Sequence, residues 1–493
     1  MLRAIIGGIL MVSCAAAPGG TARGEIAIVT LDRTALRAAP RDSAAQHAVL
    51  WQGETVEVRA ERRDYLQVYD VRRERGGYVH ASRVHRVRLA EADAPELMSI
   101  VRFVRETPGA ESLGIGLVAA YVQAAPAVSL RGEAGIEILD ALGGFADRLA
   151  RRASSGAARS RFAEAVLSAH LDVASRFGVG FTSIERNGRM RICYDGDAFR
   201  RVLAMASSPV QRARAALALT RGECVDADLG PQRRHRLDEW RAEVLEGVDA
   251  AALPGTLRNR VLLQRAGVWA SLAYQHARRG EGADAAAARA LAALAGIDKS
   301  ELTETDQVAY NDAAMRVSAS RWAAVLAPAA GRGKRPYIVT EPGRPGETCI
   351  LLLDGSHDAS NPLAKRCTYG IVWTGSATLN REGNALALAV QPLEAWREIW
   401  LFRKTDGHWR VRVVPPAATT PEIGYAEFAG WVPGGKQMLV AREARDEGRY
   451  RRSFEVMRLD TLATVREARD PGILGAFRRW QDPQWKRRTV SLR

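Results

Sequence analysis

Long hydrophobic runs are absent from this 493-residue sequence beyond its first 14 residues. A helix that spans a bilayer needs about 20 consecutive apolar residues, so this absence argues against a transmembrane span. The apolar run at residues 4–13 is too short for a stable anchor. It lies between Arg3 and Cys14, and the small residues 15–17 follow it. A basic start, a short apolar core and small residues are typical of an export signal, which we expect over residues 1–22.

Cysteine is scarce, with five residues in the chain, and Cys14 stands at the end of the apolar run. Acylation of Cys14 would make the protein a lipoprotein, held at a membrane by its lipid. The lipoprotein cleavage motif that ends at Cys14 begins at Met11, where leucine is usual. Cleavage after Ala22 would instead release a soluble exported protein. Both alternatives predict a protein that is exported to the periplasm or membrane-anchored in the cell envelope.

The other four cysteines are Cys193, Cys224, Cys349 and Cys367. No two of them have the C-x2-C spacing that is typical of zinc sites. An even number of cysteines in an exported chain favours disulfide bonds over free buried thiols. Three pairings are open, and the simplest joins nearest neighbours, Cys193 to Cys224 and Cys349 to Cys367.

Complete catalytic motifs are also absent. None of the eight histidines belongs to the H-E-x-x-H motif of a zinc protease. Cys349 and His408 have a tolerable separation for a Cys–His pair, but a strand-like apolar run follows the cysteine where a helix start is needed. Residues 110–114 lack the first glycine of a nucleophile elbow. Residues 114–119 match the G-x-G-x-x-A motif, but they do not lie in a predicted strand–helix–strand unit. The sequence therefore assigns no catalytic, cofactor-binding or metal-binding residue.

Lysine is rare, because only six of the 71 basic residues are lysine, and 56 acidic residues leave a net charge of +15. Such a charge favours anionic partners. The basic residues alternate with acids along the whole chain, as in Leu237–Glu243, and form no basic stripe. This distribution argues against a nucleic-acid partner. It leaves attraction to anionic lipid head groups or wall polymers and a solvated arginine-rich surface as alternatives.

After the signal segment, residues 24–90 form a strand-rich region of the sequence. Apolar and polar residues alternate at 25–30, 56–60 and 65–69, and a fourth such segment starts at Gly77. Turn residues separate these segments. Several short strands at close spacing predict a small β-barrel.

Four short motifs follow one another in this region. In chain order they are Ala35-Leu-Arg-Ala-Ala-Pro40, Gly53-Glu-Thr-Val-Glu-Val58, Tyr65-Leu-Gln-Val68 and Gly77-Tyr-Val-His80. In this order they resemble the bacterial SH3 domain. The match covers about 65 residues and departs from the family at Tyr78, where tryptophan is usual.

The resemblance implies an SH3-like barrel over residues 24–90 that binds a cell-wall peptide or an envelope protein. The polar and aromatic residues of its two last motifs are then candidate binding residues. These are Tyr65, Tyr78 and His80.

Residues 91–330 are rich in alanine, arginine, leucine and glutamate and predict a helical domain. Breakers such as Pro108-Gly109, Gly178–Gly180 and Asn187-Gly188 separate the helices. A clean internal repeat is missing, so we expect an irregular, array-like arrangement. Helical arrays are commonly partner-binding surfaces.

A Pro- and Gly-rich linker at 328–348 leads into a predicted β-rich domain over residues 335–493. Two turns, in 379–388 and 431–439, are each followed by a strand and then by a more polar strand. Residues 370–460 are in this respect similar to TolB-like propeller blades. The stretch has room for roughly three blades, so the resemblance implies blade-like hairpins without a closed propeller.

One polar loop of this domain is a further candidate. Asp354 and His357 lie between Cys349 and Cys367, and a disulfide between these cysteines would hold the loop. A polar loop that is fixed in this way makes a reasonable recognition site.

Together these features predict a multidomain α and β protein. They favour a non-catalytic cell-envelope binding or scaffold protein that uses an SH3-like module. The alternative is a cell-wall hydrolase of unrecognised type in which the SH3-like domain targets the wall. We expect no cofactor.

Overall fold

The computed structural model describes residues 24–155, 160–186, 188–325, 334–418, 421–446, 448–483 and 485. The predicted signal segment 1–22, with Cys14, lies outside these residues. The chain divides into two compact units, with the boundary between Ser207 and Ser208. The described residues form twelve α-helices and several antiparallel sheets, so the prediction of a mixed α and β protein is confirmed. None of the described helices is both long and apolar enough to cross a bilayer.

Seven short antiparallel strands open the first unit. They are β1 (Ile26–Val29), β2 (Thr34–Arg37), β3 (Gln46–Leu50), β4 (Thr55–Arg62), β5 (Tyr65–Asp70), β6 (Arg75–His80) and β7 (Val84–Val87). Their order in the sheet is β3-β2-β6-β5-β4-β1-β7. Leu36, Leu66, Val68 and Val79 are fully or almost fully buried in the core of this sheet.

The small barrel expected from the sequence is not closed. β3 and β7 end the sheet, and within the described residues they do not pair with each other. The physical reason is visible at the β1–β7 end, where Ile28 and Val87 belong to a core that is shared with helices. These apolar side chains are covered by helices, so closure of the sheet is not needed to bury them.

Helices and one hairpin complete the first unit. The helices are α1 (Ala94–Val104), α2 (Glu111–Ala124), α3 (Ala127–Arg131), α4 (Glu133–Ser154), α5 (Arg161–Arg176) and α6 (Asp197–Ala204), and the hairpin strands are β8 (Phe181–Arg186) and β9 (Arg189–Tyr194). The hairpin lies inside the stretch that the sequence predicts to be helical. Its signal was the Asn187-Gly188 pair, a favoured two-residue hairpin turn, between segments with the β-branched residues Thr182, Ile184 and Ile192.

The sheet and the helices of the first unit are in close contact. A Cβ on Gly116 of α2 would lie 2.6 Å from the carbonyl oxygen of Gly53, so this glycine allows the backbones to approach. Gly114 packs in the same way against the ring of Phe145. Ser112, fully buried, donates to the carbonyl of Gln52 at 2.7 Å. The G-x-G-x-x-A text and the elbow-like serine are thus explained by helix packing.

Charged pairs reinforce this contact. The carboxylate of Glu54 is buried and pairs with Arg73 at 3.1 Å and with Arg176 of α5. Burial raises the pKa of Glu54, and Arg73 opposes that effect. Asp32 lies 2.8 Å from Nε2 of the buried His170, also in α5. The seven-stranded sheet is therefore anchored to its neighbouring helices.

The second unit begins with five helices and ends with one more. They are α7 (Pro209–Leu219), α8 (Pro231–Glu246), α9 (Gly255–Arg278), α10 (Asp284–Ala295), α11 (Glu304–Ser320) and α12 (Gly475–Trp480). Alanines are frequent at the buried positions of α9, α10 and α11, where small side chains let helices pack closely.

Two antiparallel sheets follow α11. The first has three strands, β10 (Tyr337–Pro342), β11 (Thr348–Leu353) and β12 (Ala364–Thr368). The second has eight, β13 (Ile371–Leu379), β14 (Ala385–Leu393), β15 (Trp396–Thr405), β16 (His408–Val414), β17 (Ile423–Val432), β18 (Gln437–Asp446), β19 (Arg449–Arg458) and β20 (Thr464–Ala468). Its hairpins are joined in one sheet by a short parallel pairing of β15 with β17.

A buried ion cluster joins the end of α11 to this sheet. Glu427 of β17 pairs with Arg397 of β15 and with Arg321, the residue directly after α11, and all three are nearly inaccessible to solvent. Arg397 also donates to the carbonyl of Ser318 at 2.7 Å. Burial alone would raise the pKa of Glu427, but the two guanidinium groups outweigh it, and the pKa lies below its ordinary value.

Candidate binding face of the first sheet

Three of the candidate residues share one face of the seven-stranded sheet. Tyr65 is directly opposite His80 across the β5–β6 pair, and Gln67 is opposite Tyr78. Directly opposed residues of an antiparallel pair point to the same side, and so do residues two apart in one strand. Strand geometry alone thus brings Tyr65, Tyr78 and His80 together.

The rings of Tyr65 and His80 contact each other edge to face. Their centroids are 5.1 Å apart and their planes make an angle of 74°. The hydroxyl of Tyr65 donates to Oδ1 of Asp42 at 2.6 Å. His80 Nδ1 lies 2.8 Å from Oγ of Ser82. Both rings are therefore held in fixed positions by partners in the same sheet or its loops.

The hydrogen bond from Tyr65 also sets the electrostatics of this face. It is the largest influence on Asp42, whose pKa it lowers, because it stabilises the carboxylate. The same bond raises the pKa of Tyr65, since the phenol is held next to a negative charge. Near neutral pH the pair is a carboxylate and a neutral phenol.

A guanidinium group completes the face. Arg37 of β2 is opposite Tyr78 of β6, and its Nε lies 3.9 Å from Oδ1 of Asp42. Arg37 also donates to the carbonyl of Ala44 at 3.1 Å, which fixes the loop that carries Asp42. We name the set Arg37, Asp42, Tyr65, Gln67, Tyr78 and His80 the tyrosine face. Tyr65 is buried and Tyr78 and His80 are half-buried. The face therefore offers the ring surfaces of Tyr78 and His80, one positive and one negative group, and an amide, a combination that suits a peptide ligand.

The other two candidate residues form a separate site in the second unit. Asp354 and His357 lie in the loop between β11 and β12, and Nδ1 of His357 is 2.8 Å from Oδ1 of Asp354. The backbone N–H of Ser356 also donates to Asp354 at 2.8 Å. These bonds lower the pKa of Asp354, that from His357 most. The geometry is that of a tight turn in which the carboxylate is satisfied by local donors.

This loop is closed by a disulfide. Cys349 and Cys367 are directly opposite in the β11–β12 pair and are joined by a bond, which agrees with the predicted pairing. Cys193 and Cys224 are disulfide-bonded as well. Glu347 lies near the Cys349 and Cys367 sulfurs, in a group whose size would suit a metal ion. With both sulfurs in the disulfide, neither is a thiolate that could bind one.

One polar cleft was not predicted. It has a volume of about 850 Å³ and lies in the second unit, lined by residues near the start of α11 and by β18, β19 and the end of β20. Tyr450 donates to Asp312 at 2.8 Å beside it, and burial followed by this hydrogen bond raises the pKa of Tyr450 to about 12. A signal for it in the sequence is the arginine-rich run Arg449-Tyr-Arg-Arg452.

No protein-family model matches the chain, and neither a curated protein nor a solved structure is similar to it.

Proposed function

We propose that this chain is an exported cell-envelope binding protein whose residues 24–90 form a bacterial SH3-like module. The module binds a cell-wall peptide or a segment of an envelope protein through the tyrosine face. The observation that carries this proposal is the grouping of Tyr65, Tyr78 and His80 beside Arg37 and Asp42 on one side of the sheet.

The chemistry of the face matches a short peptide. Arg37 is available to a ligand carboxylate, since its contact with Asp42 is long at 3.9 Å, and guanidinium groups bind carboxylates in a planar, directional way. The half-buried ring of Tyr78 offers apolar surface next to it. Gln67 lies across from Tyr78 and supplies a donor and an acceptor for a peptide group.

Two further points support a location in the cell envelope. Four described cysteines are disulfide-bonded, and disulfides persist mainly in oxidising compartments. The chain also begins with the predicted export signal, in which Cys14 is the candidate lipidation site. Mass spectrometry of the mature N-terminus tests the anchor, because a peptide that starts at Arg23 would exclude a lipid on Cys14.

The binding proposal is tested by co-sedimentation of the full mature chain with isolated wall sacculi and by capture of solubilised envelope proteins. We expect binding that Tyr78→Ala weakens at least tenfold, which corresponds to about 1.4 kcal/mol. His80→Ala should also weaken it, because the Tyr65 ring loses its edge-to-face partner.

His85→Ala is the matched control. His85 is a half-buried histidine of β7, three strands away from β5, and its loss should leave binding unchanged. Equal effects of the His80 and His85 substitutions would contradict the assigned face. Absence of binding to both wall and envelope proteins would reject the function, and release of soluble wall fragments would assign hydrolysis instead.

A further inference from the structure

Strand β19 extends beyond its outer neighbour. It pairs with β18 over its whole length, Arg449–Arg458, whereas β20 pairs only with Phe454–Met457. In the described part of the chain, Arg449–Ser453 is therefore paired on one side only, and its backbone forms no other backbone hydrogen bonds. A strand with one side unpaired presents a row of N–H and C=O groups to a further strand.

The open edge borders the polar cleft of about 850 Å³. Gln307 and Asn311 of α11 line the cleft together with Arg452, Ser453 and Arg469. Five strand residues span about 17 Å at 3.4 Å per residue. The cleft and the edge together suit an extended segment of about five residues.

Charge at this edge has one dominant sign. Arg449, Arg451 and Arg452 are exposed in β19, and Arg469 follows the end of β20. Arg451 pairs with Asp446 at 3.3 Å. Within the described residues, the guanidinium groups of the other three arginines have no ion-pair or hydrogen-bond partner.

The acidic residues of the cleft largely have partners of their own. Glu455 accepts from Ser453 at 2.7 Å and lies 3.4 Å from Arg442, and Glu443 accepts from the hydroxyl of Tyr425. Glu467 is the exposed acid that faces the cleft without such a contact among the described residues. Three unpaired cations against one unpaired anion leave the edge positive.

We propose that the free edge of β19, Arg449–Ser453, is a docking site for an extended acidic protein segment, which adds to the sheet as a further strand. Successive residues of β19 point to opposite faces, so Arg449 and Arg451 flank one face of the added strand and Arg452 flanks the other. Charged residues often protect an edge from pairing, and here they repel a second copy of the same arginine-rich edge. A segment with carboxylates is attracted by the same charges. This site is independent of the tyrosine face.

The test is fluorescence anisotropy on the full mature chain with three labelled seven-residue peptides. The first alternates Glu and Val, the second alternates Glu and Pro, and the third alternates Lys and Val. We expect the Glu-Val peptide to bind, and we expect added salt to lower its affinity. The Glu-Pro peptide should bind at least tenfold more weakly, because proline has no N–H to donate, and the Lys-Val peptide should not bind.

Charge reversal locates the site. The double substitution Arg449→Glu and Arg452→Glu should weaken Glu-Val binding at least tenfold. Arg466→Glu is the matched control, since Arg466 is an exposed arginine of β20 that does not line the cleft. Circular dichroism shows whether the variants are folded.

Three results would overturn the proposal, and each is independent of the wall-binding test. They are no binding of the Glu-Val peptide, equal binding of the Glu-Val and Glu-Pro peptides, and equal effects of the double substitution and of Arg466→Glu. The peptide comparison needs no variant, so the proposal stays falsifiable if a substitution prevents folding.

Discussion

The two large sheets of this protein use charged and polar side chains in opposite ways. In the seven-stranded sheet, Arg37 and Asp42 lie at the accessible tyrosine face, beside rings that are fixed by hydrogen bonds. In the eight-stranded sheet, Arg397 and Glu427 are buried at the centre, and Glu427 pairs both with Arg397 and with Arg321 at the end of a helix. The first arrangement leaves charge available to a ligand. The second satisfies charge internally and specifies how helix and sheet meet.

The buried cluster predicts the largest effect on stability. Glu427→Gln leaves two buried guanidinium groups without their shared carboxylate, and breaking a buried pair in this way costs about 3–5 kcal/mol. Chemical denaturation of the full chain measures the loss. Glu422→Gln is the control, since Glu422 is an exposed partner of Arg445 and should cost at most about 1 kcal/mol. Equal losses would show that burial does not distinguish the two pairs.

The same cluster predicts a pH dependence. The pKa of Glu427 is lowered in the folded state. Its contribution to stability is therefore present above the ordinary glutamate pKa and is lost as the pH falls through the folded value. The acid side of the stability profile should be flatter in Glu427→Gln than in the parent protein.

The contact between the first sheet and its helices predicts an intermediate effect. Gly116→Ala places a methyl group 2.6 Å from the carbonyl oxygen of Gly53, and we expect a loss of about 1–3 kcal/mol in the free energy of unfolding. Gly144→Ala in α4 is the matched control, because its nearest neighbouring atom is 4.0 Å away. There alanine should stabilise the helix by up to about 1 kcal/mol. If both substitutions stabilised the protein, the proposed close packing of sheet and helix would be wrong.

The tyrosine face predicts the smallest effect. Tyr65→Phe removes the hydrogen bond to Asp42 and should move the pKa of Asp42 back up toward its ordinary value, as NMR titration of the carboxyl would show. Asp42→Asn should in turn lower the pKa of Tyr65 toward its ordinary value. Global stability should change little, because Asp42 is exposed. An unchanged Asp42 titration in Tyr65→Phe would contradict the assigned hydrogen bond.

Local patterns in the sequence predicted the features that depend on residues close in the chain, such as strand positions and the pairing of nearby cysteines. Alternation of apolar and polar residues located β1, β4, β5 and β6, and the side-chain period of two then explains why Tyr65, Tyr78 and His80 meet. The nearest-neighbour pairing of Cys349 with Cys367 follows from their closeness in sequence. The Asn187-Gly188 turn was present as a signal, but the surrounding helical composition hid the hairpin.

Features that depend on distant partners could not be predicted. Glu427 and Arg321 are separated by 106 residues, and each side chain alone looks like an ordinary surface charge in the sequence. The free edge of β19 exists because β20 is shorter than the strand it pairs with. The number of residues that pair cannot be predicted from the sequence of either strand alone. The packing of helices on Ile28, which leaves the first sheet open, also depends on residues that are distant in the sequence and could not be predicted.

The disulfide between Cys349 and Cys367 has a consequence for proteolysis. The turn with Asp354 and His357 lies inside the covalent ring that this bond closes. A protease that cuts the backbone there, for example beside the exposed Asp358, leaves two pieces that are still tied together. Such nicked protein should run as one species in non-reducing electrophoresis and as two after addition of a thiol.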